Sequence, residues 1–446
     1  MALTVTTEKM VTNGDCIAKV DGKIVFVPYA LPDETLEIEI TSSNRDYDTA
    51  KIVNIVKESE HRVTPPCKYY GMCGGCNMMH IAPSFQREMK KNILATCLLR
   101  EGIPAPEIAV LYGSNEQYRA RILLGNGGFS CKRSNSVVPI EQCFVATNEI
   151  NEWLLHTPYA ARPQGKLRLF GDKRVVPEKT REFAHVVAAC DNACKQQHRD
   201  KNSRNTQLAR SSKKSLAKQY VRSMVYRKDI KQVPRHFSGT VASPEKIVKV
   251  ALLGKEIAFD VRGFFQSNMD VLEKSLDVIC GNLSGTNALD MYAGCGTFSR
   301  FLAERFEHVT LVEHNRDALA FAEQNMAGFS HASFGVSGEN WVRNFSFNNA
   351  FDAVIIDPPR SGIEKSVCDF LCAGNTPYIR SVSCNCATHA RDIAKLVHAG
   401  YKLVSLSLLD FFPNTSHIES VAVLEKTTAL QGTPNRSRNV LRNSAI

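Results

Sequence analysis

ALDMYAGCGTFSRFLA, residues 288–303, runs from a strand-like apolar stretch through Gly294 and Gly296 into a helical pattern. Glycines at the carboxyl end of a strand let the backbone approach a ligand, which is how open α/β sheets build a binding crevice. Alone, such a turn is as readily a tight strand-to-helix connection with no ligand. Its surroundings decide the reading. The runs NALDMY, HVTLVE, FDAVIID, YIRSVSC and YKLVSLSLL are strand-like, and most are separated by helix-like segments. This alternation predicts a doubly wound, mostly parallel α/β sheet over residues 241–430. Glu313 ends the second run, where a carboxylate meets a ribose diol. DPPRSG, residues 357–362, follows the third, and two prolines stiffen the loop after Asp357. Asp290, Glu313 and Asp357 are thus expected around one crevice, with no P-loop lysine motif. Such a site suits a nucleoside cofactor without phosphates, and S-adenosylmethionine is the leading candidate.

Residues 1–60 differ. KIVFVPYA, TLEIEI and AKIVNIV are β-branched runs separated by Asn13-Gly14, Asp21-Gly22 and Pro32-Asp33, a pattern that predicts a small antiparallel β-barrel. Residues 61–240 read as a middle α+β unit. Within it a helix is expected from Ser84 to about Arg100, with Phe85, Met89, Ile93, Leu94 and Cys97 at helical spacing and Gly102 as the stop. Residues 195–214 contain seven Lys or Arg and one acid, as an exposed basic insertion would. The tail 431–446 is basic and aperiodic, and disorder is expected there. A formal charge of +10 over 446 residues favours an anionic partner, nucleic acid first. No apolar run approaches eighteen residues and the N-terminus lacks a signal pattern, so a cytoplasmic protein without membrane contact is expected. No obligate protein partner is evident.

In a large cytoplasmic chain, fifteen cysteines point to metal ligands or a nucleophile more than to disulfides. CKYYGMCGGC places Cys67, Cys73 and Cys76 in a C-x5-C-x2-C spacing whose glycines allow tight wrapping around a metal centre. An iron-sulfur cluster and a zinc ion both fit. The fourth ligand must come from elsewhere, with His80 a crowded option. A radical enzyme would leave one iron open to S-adenosylmethionine, so a fourth thiolate separates the two uses of a cluster. A second pair, Cys384 and Cys386, lies in SVSCNCATHARD after a strand. Cys295 reads as packing, and Cys190 with Cys194 is too sparse for a second metal.

Six motifs occur in one order: C-x5-C-x2-C, FFQSN (264–268), DMYAGCGTF (290–298), DPPR (357–360), SCN-x-x-T-x-x-RD (383–392) and FPNTSHIE (412–419). In this the chain resembles the RumA-type RNA uracil-5-methyltransferases, and its N-terminal barrel is similar to a TRAM domain. The resemblance implies a [4Fe–4S] cluster on Cys67, Cys73, Cys76 and Cys143. It implies cofactor contacts from Gln266, Tyr292, Thr297, Glu313 and Asp357, beside the Gly294 turn. Cys384 takes the place of the nucleophile and Glu419 that of the base. Such residues suit the chemistry. C5 of uracil is a weak nucleophile until a thiolate adds to C6, and its proton must then be removed after methylation. The implied substrate is RNA, 23S ribosomal RNA ahead of transfer RNA, because tRNA-modifying relatives generally lack the cysteines and the barrel. A catalytically silent iron-sulfur RNA-binding protein is the reading from another class, and the presence of both Cys384 and Glu419 argues against it. Two positions depart from the family. Cys386 stands where proline is usual, and Asp33 stands in a Pro-Gly-Glu turn.

Overall fold

The computed structural model describes residues 2–132, 134, 136–177, 186–190, 246–346 and 350–427. The basic insertion expected at 195–214, the boundary at 240 and the tail from 431 lie outside the described residues.

The N-terminal runs form β1 (Leu3–Thr6), β2 (Lys9–Met10), β3 (Cys16–Val20), β4 (Lys23–Val27), β5 (Thr35–Ser43) and β6 (Tyr47–Lys57), in the order β1-β5-β6-β4-β3-β2. The edge strands β1 and β2 are consecutive in sequence, so one bend at Thr7-Glu8 joins the two edges and curls the sheet on itself. Asp21 and Gly22 both take positive φ, 50° and 81°, as a two-residue turn between twisted antiparallel strands requires. Val25, Val27, Leu36 and Ile38 fill the interior together with Met78, Ile81 and Met89 from the next segment.

Helix α1 (Pro83–Arg100) follows, then β7 (Ile108–Leu111). The middle region contains β8 (Arg121–Gly125), a hairpin of β9 (Phe129–Ser130) and β10 (Val137–Val138), α2 (Asn148–His156), β11 (Lys166–Gly171) and β12 (Val186–Cys190), with β12-β11-β8 antiparallel. A second hairpin, β13 (Ile247–Leu252) and β14 (Lys255–Asp260), leads into α3 (Met269–Cys280).

The remaining elements alternate as expected: β15 (Gly285–Met291), α4 (Thr297–Leu302), β16 (Phe306–Val312), α5 (Arg316–Asn325), β17 (His331–Phe334), α6 (Gly338–Phe345), β18 (Ala353–Ile356), α7 (Lys365–Ala373), β19 (Tyr378–Ser383), α8 (Cys386–His398), β20 (Tyr401–Leu409) and β21 (Glu419–Lys426). Their eight-stranded sheet has the order β17-β16-β15-β18-β19-β21-β20-β7. Pairs from β17 to β19 are parallel, while β21 runs antiparallel to both neighbours. Successive residues of β15 face opposite cores: Ala288 belongs to the one that includes Leu276, Phe301 and Phe321, Leu289 to the one that includes Leu94, Trp341 and Ile393. Helices therefore cover both faces, and strands buried on both faces read as continuous apolar runs. Strand order reverses between β15 and β18, so the crevice lies beyond their carboxyl ends.

One element sits apart from its expected unit. The segment holding β7 reads in sequence as part of the middle region, yet β7 pairs in parallel with β20, Ile108 beside Leu406 through Leu111 beside Leu409. Helix α1 packs on the same sheet through Leu94, Cys97 and Leu98.

Candidate active site

The loop after β15 turns through Gly294 (φ 56°) and Gly296 (φ 77°). A methyl group on Gly296 would come within 2.9 Å of Ala322 Cβ, so only glycine lets this turn close against α5. Gly294 N–H donates to Glu313 Oε2 at 3.0 Å and Asn315 N–H to Glu313 Oε1 at 2.6 Å. Oε2 retains a lone pair for a diol, while Oε1 also meets His314 Nδ1 at 3.1 Å. Asp290 accepts from the Ser299 amide at 3.0 Å through Oδ2, and burial pushes its carboxyl up to about 6. Tyr292 has φ 67°, a strained backbone for a bulky residue, and its hydroxyl lies 3.4 Å from Glu364 Oε2. Thr297 opens α4 with Oγ1 3.5 Å from Cys295 Sγ. Cys295 is buried, as packing against the loop requires.

Among the described residues, the buried oxygens without a hydrogen-bond partner include Asp290 Oδ1, at the end of β15, and Gln266 Oε1. Buried polar atoms are nearly always satisfied, so orphans mark where a polar ligand belongs. The cap of α3 is Asn268, whose side chain accepts from Val271 N–H at 3.2 Å, which leaves Gln266 free of that task. The donor and acceptor set of the crevice fits S-adenosylmethionine, whose adenosine and amino-acid parts are polar and whose nucleoside carries no phosphate.

Cys384 follows β19 directly and is half-buried. Around it the motif SCN-x-x-T-x-x-RD acts as a clamp on the DPPRSG loop. Asn385 caps α8 by accepting from Ala387 N–H at 3.0 Å and Thr388 N–H at 3.3 Å, while its Nδ2 donates to the Arg360 carbonyl at 3.2 Å. Thr388 Oγ1 donates to the same carbonyl at 3.2 Å. Arg391 donates to the Ser361 carbonyl at 3.1 Å and Asp392 accepts from Ile363 N–H at 2.8 Å. The held loop brings the Arg360 charge to bear on the Cys384 thiol. Burial pushes that thiol up, Glu419 and Asp357 add to the push, and Arg360 opposes it.

Glu419 opens β21, paired with Leu409 across the hairpin. It is buried, and its carboxyl is pushed up to about 8, first by burial and then by Asp357, against the pull of Arg360 and Lys90. Asp357 is likewise pushed up to about 7 by burial and by Asp290. Asp357 and Arg360 therefore act on both Cys384 and Glu419, and Glu419 acts on Cys384, across the carboxyl ends of β18 and β19 and the amino end of β21. An acid exposed before its strand would show none of this. Cys386 points elsewhere: it is buried with Sγ 3.5 Å from Cys97 Sγ of α1, so its packing partner is that helix.

The other cysteines meet in the middle region. Cys67, Cys73, Cys76, Cys131 and Cys143 line one cavity of ≈ 360 Å³. Gly74 donates to the Ser130 carbonyl at 3.0 Å, and a methyl group there would press within 3.2 Å of that oxygen, so the loop wraps as tightly as glycine permits. Asn151 of α2 holds Cys143 from both sides, accepting from its N–H at 2.8 Å and donating to its carbonyl at 3.0 Å. Burial pushes the Cys76 thiol up to about 12, and Cys143, Cys73 and Cys67 add to the push. Among the described residues no three His, Cys, Asp or Glu side chains close on one point as metal ligands do. The donor chemistry still fits a thiophilic centre, which offsets the mutual repulsion of buried thiolates. His80 lies outside this set: its Nδ1 is 2.6 Å from the Tyr70 hydroxyl and burial lowers it to about 3.

Fold and crevice together define a Rossmann-like S-adenosylmethionine-dependent methyltransferase. The TRAM domain model matches residues 1–53, the "Methyltransferase small domain" residues 267–371, and the "tRNA (Uracil-5-)-methyltransferase" model residues 340–427. An RNA methyltransferase of Treponema denticola is 31% identical, over 95% of this chain and 98% of its own. The 23S rRNA (uracil(1939)-C(5))-methyltransferase RlmD of Shewanella amazonensis is 30% identical, over 92% and 93%. This chain belongs to the RumA/RlmD-type family of RNA uracil-C5-methyltransferases. The solved tRNA (uracil-54, C5)-methyltransferase of Pyrococcus abyssi, in complex with S-adenosyl-L-homocysteine, shares the fold with TM-score 0.65 and 21% identity, over 95% of this chain and 100% of its own. No helix among the described residues is long and apolar enough to cross a membrane.

Sequence reasoning missed Arg360 and Lys90. The signal for Arg360 is its place in DPPR, three residues after an acid already assigned to the crevice. The signal for Lys90 is a charge on an apolar helix face.

Proposed function

We propose that this enzyme methylates C5 of a uridine in RNA by covalent catalysis through Cys384, with Glu419 as the base. The observation that carries the reading is the placement of the two: Cys384 and the buried Glu419 flank the paired Ser383 and Ser420 of β19 and β21, with Arg360 and Asp357 acting on both and Glu419 raising the thiol's hold on its proton. Arg360 and the amino end of α8 favour the thiolate. The thiolate adds to C6, and the electron pair gained by the ring makes C5 nucleophilic. S-adenosylmethionine supplies an electrophilic methyl group when bound, held by Gln266, Glu313 and Asp357 beside the Gly294 turn. Glu419 then removes the C5 proton, the C5=C6 bond forms, and the C6–S bond breaks to return the thiolate. A base with its pKa near the working pH is suited to that step. Access to a paired or stacked uridine requires extruding the base into the crevice.

RNA containing 5-fluorouridine tests this, since fluorine at C5 blocks proton removal. Wild-type enzyme should be trapped as a covalent adduct that peptide mapping places on Cys384. Attachment at Cys386, or full turnover without any adduct, would overturn the assignment.

We infer further that the cysteine cavity holds a [4Fe–4S] cluster on Cys67, Cys73, Cys76 and Cys143. Anaerobically purified protein should carry about four irons per chain; stoichiometric zinc without iron would refute this. For the RNA, names of relatives such as the Shewanella enzyme support 23S rRNA. The barrel and whole-chain architecture no longer discriminate, because the Pyrococcus tRNA enzyme aligns along its entire length. Mapping methylated uridines in ribosomal and transfer RNA with and without the protein separates the two substrates.

A further inference from the structure

Helix α1 carries a lysine on the face that should be apolar. Lys90 lies one turn after Gln86 and one turn before Leu94, and only 1% of it is exposed. Its Nζ donates to Asp410 Oδ1 at 2.7 Å and to the Phe412 carbonyl at 3.1 Å. A buried ion pair seldom stabilises a fold more than apolar residues of the same shape would, so its presence here asks for a reason other than stability. Its position supplies one. Asp410 directly follows Leu409, the β20 residue paired with Glu419. The same helix face grips the far end of that connection: Gln86 Oε1 accepts from Asn414 N–H at 2.8 Å, and Gln86 Nε2 donates to Asn414 Oδ1 at 3.2 Å. Asn77, next to Cys76, adds a bond from Ser416 N–H at 2.9 Å. The whole FPNTSHIE segment is thus fastened to α1 and its approach, whereas Cys384 is fastened to the DPPRSG loop.

We propose that Lys90 is a positioning residue for proton abstraction: by fixing Asp410 and Phe412 it sets where the Glu419 carboxylate meets the C5 proton, without acting on the addition of Cys384. This rests on the reading of Glu419 as the base. The charged and titratable groups facing Glu419 are Asp357 and Arg360 from the loop after β18, Cys384 from the end of β19 and Lys90 from α1. Lys90 and Arg360 favour the carboxylate; Asp357 opposes it. In the step concerned, Glu419 takes the proton, the C5–H electron pair becomes the C5=C6 bond, and the C6–S pair leaves with Cys384.

The test separates two steps in the holoenzyme with S-adenosylmethionine. Adduct formation is read with 5-fluorouridine RNA, and release of methylated RNA with the uridine substrate, for Lys90→Met, Asp410→Asn and Glu419→Gln. Lys90→Met should form the adduct within about twofold of the wild-type rate and release product on the order of tenfold to a hundredfold more slowly, the scale of a catalytic group displaced by about 1 Å. Its pH limb for release should also move to higher pH. Equal slowing of both steps, or unchanged release, would overturn the proposal. If Lys90→Met does not fold, Asp410→Asn carries the same comparison, with the same two outcomes. Release at the wild-type rate by Glu419→Gln would instead remove the base assignment itself. Trapping by Glu419→Gln with normal release by Lys90→Met removes the Lys90 role alone.

Discussion

At the scale of single residues, the crevice crowds acids that raise one another's proton affinity. Glu419 is pushed up to about 8, so product formation should rise with pH and level off above about 8. A single-turnover pH profile checks this, and a plateau already reached at pH 6 would contradict it. The same shift is a stability statement. Below the ordinary value of 4.5 the carboxyl is protonated in folded and unfolded chains alike. As pH rises from there through about 8, the unfolded chain ionises while the folded one resists, so stability is lost across that window. Glu419→Gln should therefore unfold at higher urea than wild type at pH 8.5, by roughly 2–4 kcal/mol, with the gap closing towards pH 4.5. The motifs around Cys384 and Glu419 are legible in sequence because they are contiguous and chemically specific. Lys90 is not, because its partner Asp410 lies 320 residues away and a charge on a helix normally reads as a solvated flank.

At the scale of elements, periodicity located α1 and the strands β15, β16, β18, β19 and β20 within a few residues, since long apolar runs leave little choice. It missed β17, whose HASF is short and half polar, and it left β7 unassigned to its sheet, because pairing across some 300 residues leaves no local trace. The barrel turn gives an element-level prediction. Asp33 takes φ 64°, a left-handed conformation costing an L-residue about 1 kcal/mol. Glu34 still secures the turn by accepting from Leu31 N–H at 2.8 Å and pairing with Arg62 at 2.5 Å, so aspartate is tolerated. Asp33→Gly should raise stability by up to about 1 kcal/mol; an unchanged or lower thermal transition would count against this. The second departure has a similar answer. Cys386 is the first residue of α8, where proline is favoured but its missing N–H is never needed, and Asn385 supplies the cap.

At the scale of the molecule, the barrel, the cysteine-rich region and the catalytic sheet are not beads on a string. Core residues Met78, Ile81 and Met89 of α1 and its approach belong to the barrel, while Leu94 and Leu98 of the same segment belong to the catalytic sheet. A fragment beginning at residue 241 should accordingly lose β7 and α1, leave the edge of β20 unpaired, and aggregate or dimerise. Size-exclusion and circular dichroism of that fragment check this, and a well-folded monomer would contradict it. The parallel pairing of β7 with β20 also sets a timetable for synthesis. The ribosome delivers residues 108–111 early, and their partner, residues 406–409, only when the chain is nearly finished. For most of translation that strand must wait without its neighbour. The catalytic sheet can be completed only near the end of synthesis, so a chain cut short before β20 leaves the early strand with nothing to join.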